Sequence, residues 1–174
     1  MWHRRPGHAV TERIPLSGLS TEEDFDAESF SAIYTTTVTV DGGAAAHGRA
    51  SGRARSADGA LDLDLRMPAE LGGDGRGTNP EQLFAAGFAA SFHGALSLVA
   101  RQEELDPTVI SVAATVALGR DPGDGGYLVR VELEVTWPDV DPEITAPLLE
   151  KAESLCPYAR MARRGTATTI VSAP

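Results

Sequence analysis

Apolar and polar positions change rhythm several times along the chain, and each rhythm selects an element. Ile33–Val40 (IYTTTVTV) is β-branched and aromatic, the composition of a strand. Asp41-Gly42-Gly43 follows as a turn, HGRASGRARS as a weaker strand, and Asp58-Gly59 as a second turn. Ala60–Leu65 (ALDLDL) alternates with period two, as a half-buried antiparallel strand does. Together these segments predict a hairpin or a three-stranded meander. The glycine-dense loop MPAELGGDGRGTNP then ends in a helix start: Asn79 can cap, Pro80 suits the first helical position, and Glu81 favours the positive end of the helix dipole.

From Glu81 to about Arg101 the chain carries almost no charge. A helix apolar on nearly every face is buried on every face. In so small a protein this predicts a central helix held between a sheet and another subunit. Ala85, Ala86, Gly87, Ala89, Ala90, Gly94 and Ala95 would permit close approach. Two longer strand patterns follow, Val109–Leu118 and Tyr127–Trp137, with Asp121-Pro122-Gly123 and Asp124-Gly125-Gly126 as the hairpin between them. Asp141–Leu155 is amphipathic and predicts a helix leading into Cys156-Pro157, and the tail TATTIVSA predicts a last strand. Strands, buried helix, strands, helix, strand make an α+β domain over residues 32–174. Residues 1–31, rich in Pro, Gly and Ser and then acidic, form an extension expected to be partly disordered or to pack as an arm.

Composition narrows the functions. The 174 residues suffice for one domain with a real core, and the net charge of −10 argues against nucleic acid or an anionic membrane as partner. No apolar run is read as approaching the roughly 20 residues that span a bilayer. The N-terminus has basic residues with no apolar stretch behind them, so it is not read as a secretory signal, and a soluble cytoplasmic protein is the expectation. One cysteine, Cys156, excludes an intrachain disulfide and any zinc set built on cysteines. His3, His8, His47 and His93 show no metal-ligand spacing, so neither metal nor cofactor is expected. The glycines of GGDGRG match no phosphate loop, and the G-x-S-x-G of a serine hydrolase is absent.

Three stretches nevertheless carry a pattern. Leu61–Leu96 contains TNPEQLFAAG, Ser154–Gly165 contains CPYA, and IYTTTVTVDGG opens the domain. Read together over residues 32–172, they resemble the organic hydroperoxide resistance branch of the Ohr/OsmC family. The resemblance implies an OsmC-like fold: antiparallel sheets around a buried central helix, in an intertwined homodimer. It implies a thiol peroxidase in which a cysteine on the central helix reduces an organic hydroperoxide. A second cysteine, in the CPY motif, then closes a disulfide that lipoylated proteins reduce. An arginine and the NPEQ glutamate would activate the thiolate and orient the peroxide.

Carried over residue by residue, Glu81 matches that glutamate and Cys156 the second cysteine, while the attacking cysteine falls on Ser91. The arginine falls on Arg49, with Arg53 the alternative, because the loop GGAAAHGRASGR is longer than the family pattern. Glu153 stands where a histidine usually precedes CPY, and Ala159 where a serine often follows the tyrosine. A serine hydroxyl is far less acidic and less nucleophilic than a thiol of pKa near 8.5, so no sulfenic acid can form at Ser91. The peroxidase cycle is therefore expected to fail at its first step.

Ser91 fits either an isosteric change made to trap a thiol enzyme or natural divergence. The accompanying departures favour divergence. The alternative function is then a relative repurposed to bind a hydrophobic small molecule or to run other chemistry, for example in a biosynthetic pathway. Glu81 and Ser91, ten residues apart, would lie about 15 Å apart on one straight helix. They share a pocket only if the helix is interrupted, for instance near Gly87, or if a second subunit contributes.

Overall fold

In the computed structural model, which describes residues 13–14, 30–43, 51–166 and 168–172, the elements follow the order read from the pattern. The α+β class holds, with antiparallel sheets and a long central helix. The chain divides into two compact units, residues 32–160 and a second drawn from residues 1–31 and 161–174. In the second, β1 (Arg13–Ile14) pairs antiparallel with β7 (Ile170–Val171), the strand foreseen in the tail. Most of the N-terminal extension, and with it the expected arm, lies outside the described residues.

Within residues 32–160, β2 (Val38–Asp41), β3 (Gly52–Ser56) and β4 (Asp62–Leu65) form the meander, with Asp41 opposite Arg53 and Arg53 opposite Asp64. The strand read over Ile33–Val40 is corrected at its start. Past Ser56 the partner chain turns at Ala57–Gly59, and the last link is the Ala57 N–H donating to the Thr37 carbonyl at 2.9 Å. Among the described residues no strand pairs with Ile33 and Tyr34, which stand exposed outside β2. β5 (Ser111–Arg120) and β6 (Tyr127–Thr136) pair over their full length. Their turn is fixed by Asp121, which takes the N–H of Gly123 on its side chain and that of Gly125 on its carbonyl; Gly125 adopts φ +75°, a conformation that suits glycine.

α1 (Pro80–Gln102) begins where the cap residues predicted. The Asn79 side chain accepts from the Gln82 N–H at 2.8 Å, and Gln82 returns a bond to the Asn79 N–H, closing a capping box. α1 lies against β5 and against α2 (Pro142–Leu155). Phe88, Phe92, Leu96, Val99 and Ala100 supply the buried stripe, meeting Ile110, Trp137, Leu148 and Ala152. Burying a side chain of the size of Leu96 stabilises by about 1.5–3 kcal/mol relative to leaving it in water. His93 ties the helix to the entry of β5, with Nε2 3.2 Å from the Ile110 carbonyl.

One face of α1, formed by Gln82, Ala86, Ala90, Gly94 and Leu98 spaced four apart, is exposed in the single chain, the side on which the expected second subunit would lie. The elements of one chain supply enough apolar surface for one side of the helix only. The expectation that no run approaches bilayer length needs correction: by length and composition α1 would cross a bilayer, with mean hydropathy 1.6 over 18 residues. Its Ser and His residues break a count of consecutive apolar positions without lowering that mean much. A further departure is α3 (Pro157–Arg164), which the pattern did not reveal as a helix. Pro157 at its start and Gly165 just past its end, at φ +76°, are the signals that mark it.

Candidate active site

The middle of α1 and the junction between α2 and α3 meet at one pair of atoms. Ser91 Oγ lies 3.3 Å from Cys156 Sγ, across 65 residues of sequence. Cys156 stands where α2 cannot continue, because Pro157 has no N–H to offer and starts α3 instead. Its N–H donates to the Ala152 carbonyl at 2.8 Å and its carbonyl accepts from the Arg160 N–H at 3.0 Å. The backbone of the junction is thereby satisfied, and the thiol is fully buried while Ser91 is half-buried. A hydroxyl facing a thiol at this distance makes a weak hydrogen bond and no redox couple.

Aromatic rings stand on the same face of α1, one and two turns before Ser91. Phe84 and Phe88 meet edge to face with centroids 6.0 Å apart, and Tyr158 meets Phe88 in the same way at 5.9 Å. Tyr158 reaches that position because Gly87 has no side chain: a methyl group there would lie 3.2 Å from the Tyr158 ring and 3.4 Å from its hydroxyl. Sequence reasoning missed this contact. A glycine in mid-helix, where it is unfavourable by about 1 kcal/mol relative to alanine, was the available signal.

The other expected site residues are placed as follows. Arg49 lies outside the described residues. Arg53 is held on the meander by Asp62, with Nη2 2.7 Å from Oδ2 in a two-pronged pair. That bond and charge raise the arginine's pKa further and hold the Asp62 carboxyl below its usual range. Arg53 also lines a cavity of about 490 Å³ that includes Asp41, Asp64, Arg66 and Met67 but none of Ser91, Cys156 and Glu81. Glu81 sits half-buried in the first turn of α1. Since α1 runs unbroken through Gly87, the interrupted-helix route from Glu81 to Ser91 is closed, and the two lie about 15 Å apart along the axis. Glu153 is half-buried on α2 and Ala159 is buried on α3.

Comparison with known proteins covers the elements that carry this pair. The model of the OsmC-like protein family fits residues 73–171, which hold α1, Ser91 and the Cys156 junction. The chain belongs to the OsmC-like family. Among its relatives is an organic hydroperoxide resistance protein of Xanthomonas axonopodis pv. citri, 43% identical over 143 residues, or 81% of this chain and 95% of the relative. An organic hydroperoxide resistance protein of Legionella pneumophila superposes with a TM-score of 0.68 at 38% identity, covering 76% of this chain and 92% of the other. The protein OhrB of Bacillus subtilis gives 0.64 at 41% identity, covering 76% and 93%. For an OsmC-like chain with relatives of this kind, a peroxidase-like role is the supported class of function.

Proposed function

We propose that this protein keeps the hydroperoxide pocket of its relatives but, through Ser91, does not run a two-cysteine peroxidase cycle. The observation that carries this reading is the Ser91–Cys156 contact at 3.3 Å. In a two-cysteine cycle, a thiolate attacks a peroxide oxygen, the O–O bond breaks, and the alcohol leaves with a proton. The resulting sulfenic acid is attacked by the second thiol, which expels water and forms the disulfide. A sulfur at position 91 would need to close on Cys156 by about an ångström to reach the roughly 2.05 Å of a disulfide. A serine oxygen in that place performs neither step.

The site is further proposed to be completed by a second copy of the chain. The exposed stripe of α1 is built from Ala86, Ala90 and Gly94 with Gln82 and Leu98 at its ends, which suits close packing. Glu81, remote from the Ser91 of its own helix, then serves the pair of the other subunit, and Arg49 is the cation proposed to join it. Such a cation would lower the pKa of a thiol introduced at position 91 and hydrogen-bond the departing alkoxide. In this reading the ligand is an organic hydroperoxide or a hydrophobic molecule of similar size, and a lipoylated protein is the reductant when a cysteine is restored.

The test is consumption of tert-butyl and cumene hydroperoxide with dihydrolipoamide by the protein and by Ser91→Cys. The parent chain should show no turnover, and the variant should turn over and form a disulfide to Cys156 detectable by peptide mass spectrometry. Turnover by the parent would overturn the proposal. An inactive variant whose introduced thiol nonetheless joins Cys156 would show a pocket turned to another ligand.

A further inference from the structure

Cys156 is fully buried, yet one of its close neighbours in the chain is the large, partly exposed side chain of Tyr158. Tyr158 is only in part turned to solvent. It folds back onto α1, one turn before Ser91, and seats its ring on Gly87 and against the edge of Phe88. On α1, positions 87 and 91 lie one above the other on the same face. Cys156 meets the second and Tyr158 the first, so the ring flanks the oxygen–sulfur pair on one side. Leu148 and Ala152 of α2 belong to the core that closes it elsewhere, and both are buried. Of these groups, Tyr158 alone is exposed, at 37%.

We infer that Tyr158 is the door of the Ser91–Cys156 site and that Gly87 is the positioning residue that lets it shut. A side chain at position 87 would push the ring outward by a few tenths of an ångström, because its Cβ would stand 3.2 Å from the ring, closer than a methyl group normally tolerates. The ring edge stands nearest Gly87, with the hydroxyl close behind it, so an entering molecule displaces mainly an aromatic surface. The inference rests on the Ser91–Cys156 pair being the working site, but its test reads access to the thiol and needs no peroxidase activity.

Because Cys156 is the chain's single thiol, its reaction with 4,4′-dithiodipyridine reports one site. Buried thiols react through local opening, so removing the door should speed the reaction, by about tenfold or more for Tyr158→Ala and severalfold for Gly87→Ala. Tyr158→Phe should react at the parent rate. In the Tyr158→Ala background, Gly87→Ala should add nothing, since its effect passes through the ring. The acceleration should also be insensitive to low urea, as local opening is and global unfolding is not. Parent-like reactivity of Tyr158→Ala, an additive effect of Gly87→Ala, or a rise that follows global unfolding would each overturn the inference.

Discussion

The helix α1 and the meander β2–β4 are neighbours in sequence and opposites in construction. α1 is apolar nearly throughout and buries five large or small apolar side chains in one contiguous core. The meander exposes all of β2, Val38 and Val40 included, and inside its strands buries only Ala54 and Leu65. Its outer surface is a set of ion pairs, Arg53 and Arg55 on Asp62 and Arg55 on Asp41. The first region holds itself together by removing apolar surface from water. The second is held by backbone ladders and leaves apolar residues uncovered. A chain that carries both has one region with a core of its own on one side and one whose apolar residues are left largely in water.

The largest effect should come from hollowing that core. Leu96, with no exposed surface, sits at the centre of the helix stripe, so Leu96→Ala should destabilise by about 2–5 kcal/mol in urea unfolding. Val40→Ala in the meander should change the dilute chain by no more than about 0.5 kcal/mol. A loss for Val40→Ala that grows with protein concentration would place a partner over β2, and comparable losses at both sites would dissolve the contrast.

A smaller effect belongs to the point where the two regions join. Asn79 is buried, caps α1, and follows Thr78, whose N–H donates to the Asp64 carbonyl of β4 at 3.1 Å. Asn79→Ala should cost about 1 kcal/mol, and Asn79→Asp, which can still accept from the Gln82 N–H, should recover most of it. If thermal melts find the alanine variant as stable as the parent, the capping box contributes nothing to the fold.

The smallest effect is electrostatic. Arg53 holds the Asp62 carboxyl below the usual carboxylate range through a side-chain hydrogen bond and charge. Asp58 and Asp106 are lowered likewise, by bonds from Ser56 and Thr108. A depressed carboxylate contributes stability that is present above its unfolded value, about 3.9, and is lost as pH falls through the folded one. Stability should therefore be flat with respect to Asp62 above about pH 5 and decline below about pH 4, with a shallower decline in Asp62→Asn. Because the pair is exposed, the difference is small and fades with salt; identical acid limbs would remove the pair from the account.

What the sequence made legible follows the range of the interactions involved. The start of α1 was readable because Asn79, Pro80 and Glu81 act within one turn, and β6 because its alternation is local. The late start of β2 was not, since it depends on where β3 turns away. Helix α3 was hidden by its short length, although Pro157 and Gly165 bracket it. At the site, Ser91 and Cys156 were named through a family resemblance; no local pattern brings together groups 65 residues apart. The role of Gly87 was read as freedom for a helix to bend or approach a neighbour. The structure shows an unbroken helix and an aromatic ring in the space.

The apolar length of α1 has a consequence during synthesis. The helix is complete at Gln102, but the elements that cover it, β5, β6 and α2, are complete only at Leu155. At translation rates of 5–20 residues per second, about 50 residues take roughly 3–10 s to appear. For that interval the ribosome displays an apolar helix whose covering elements are not yet made. Until the hairpin and second helix arrive, that apolar stripe has only solvent to face, so the order of synthesis leaves the core helix uncovered longest.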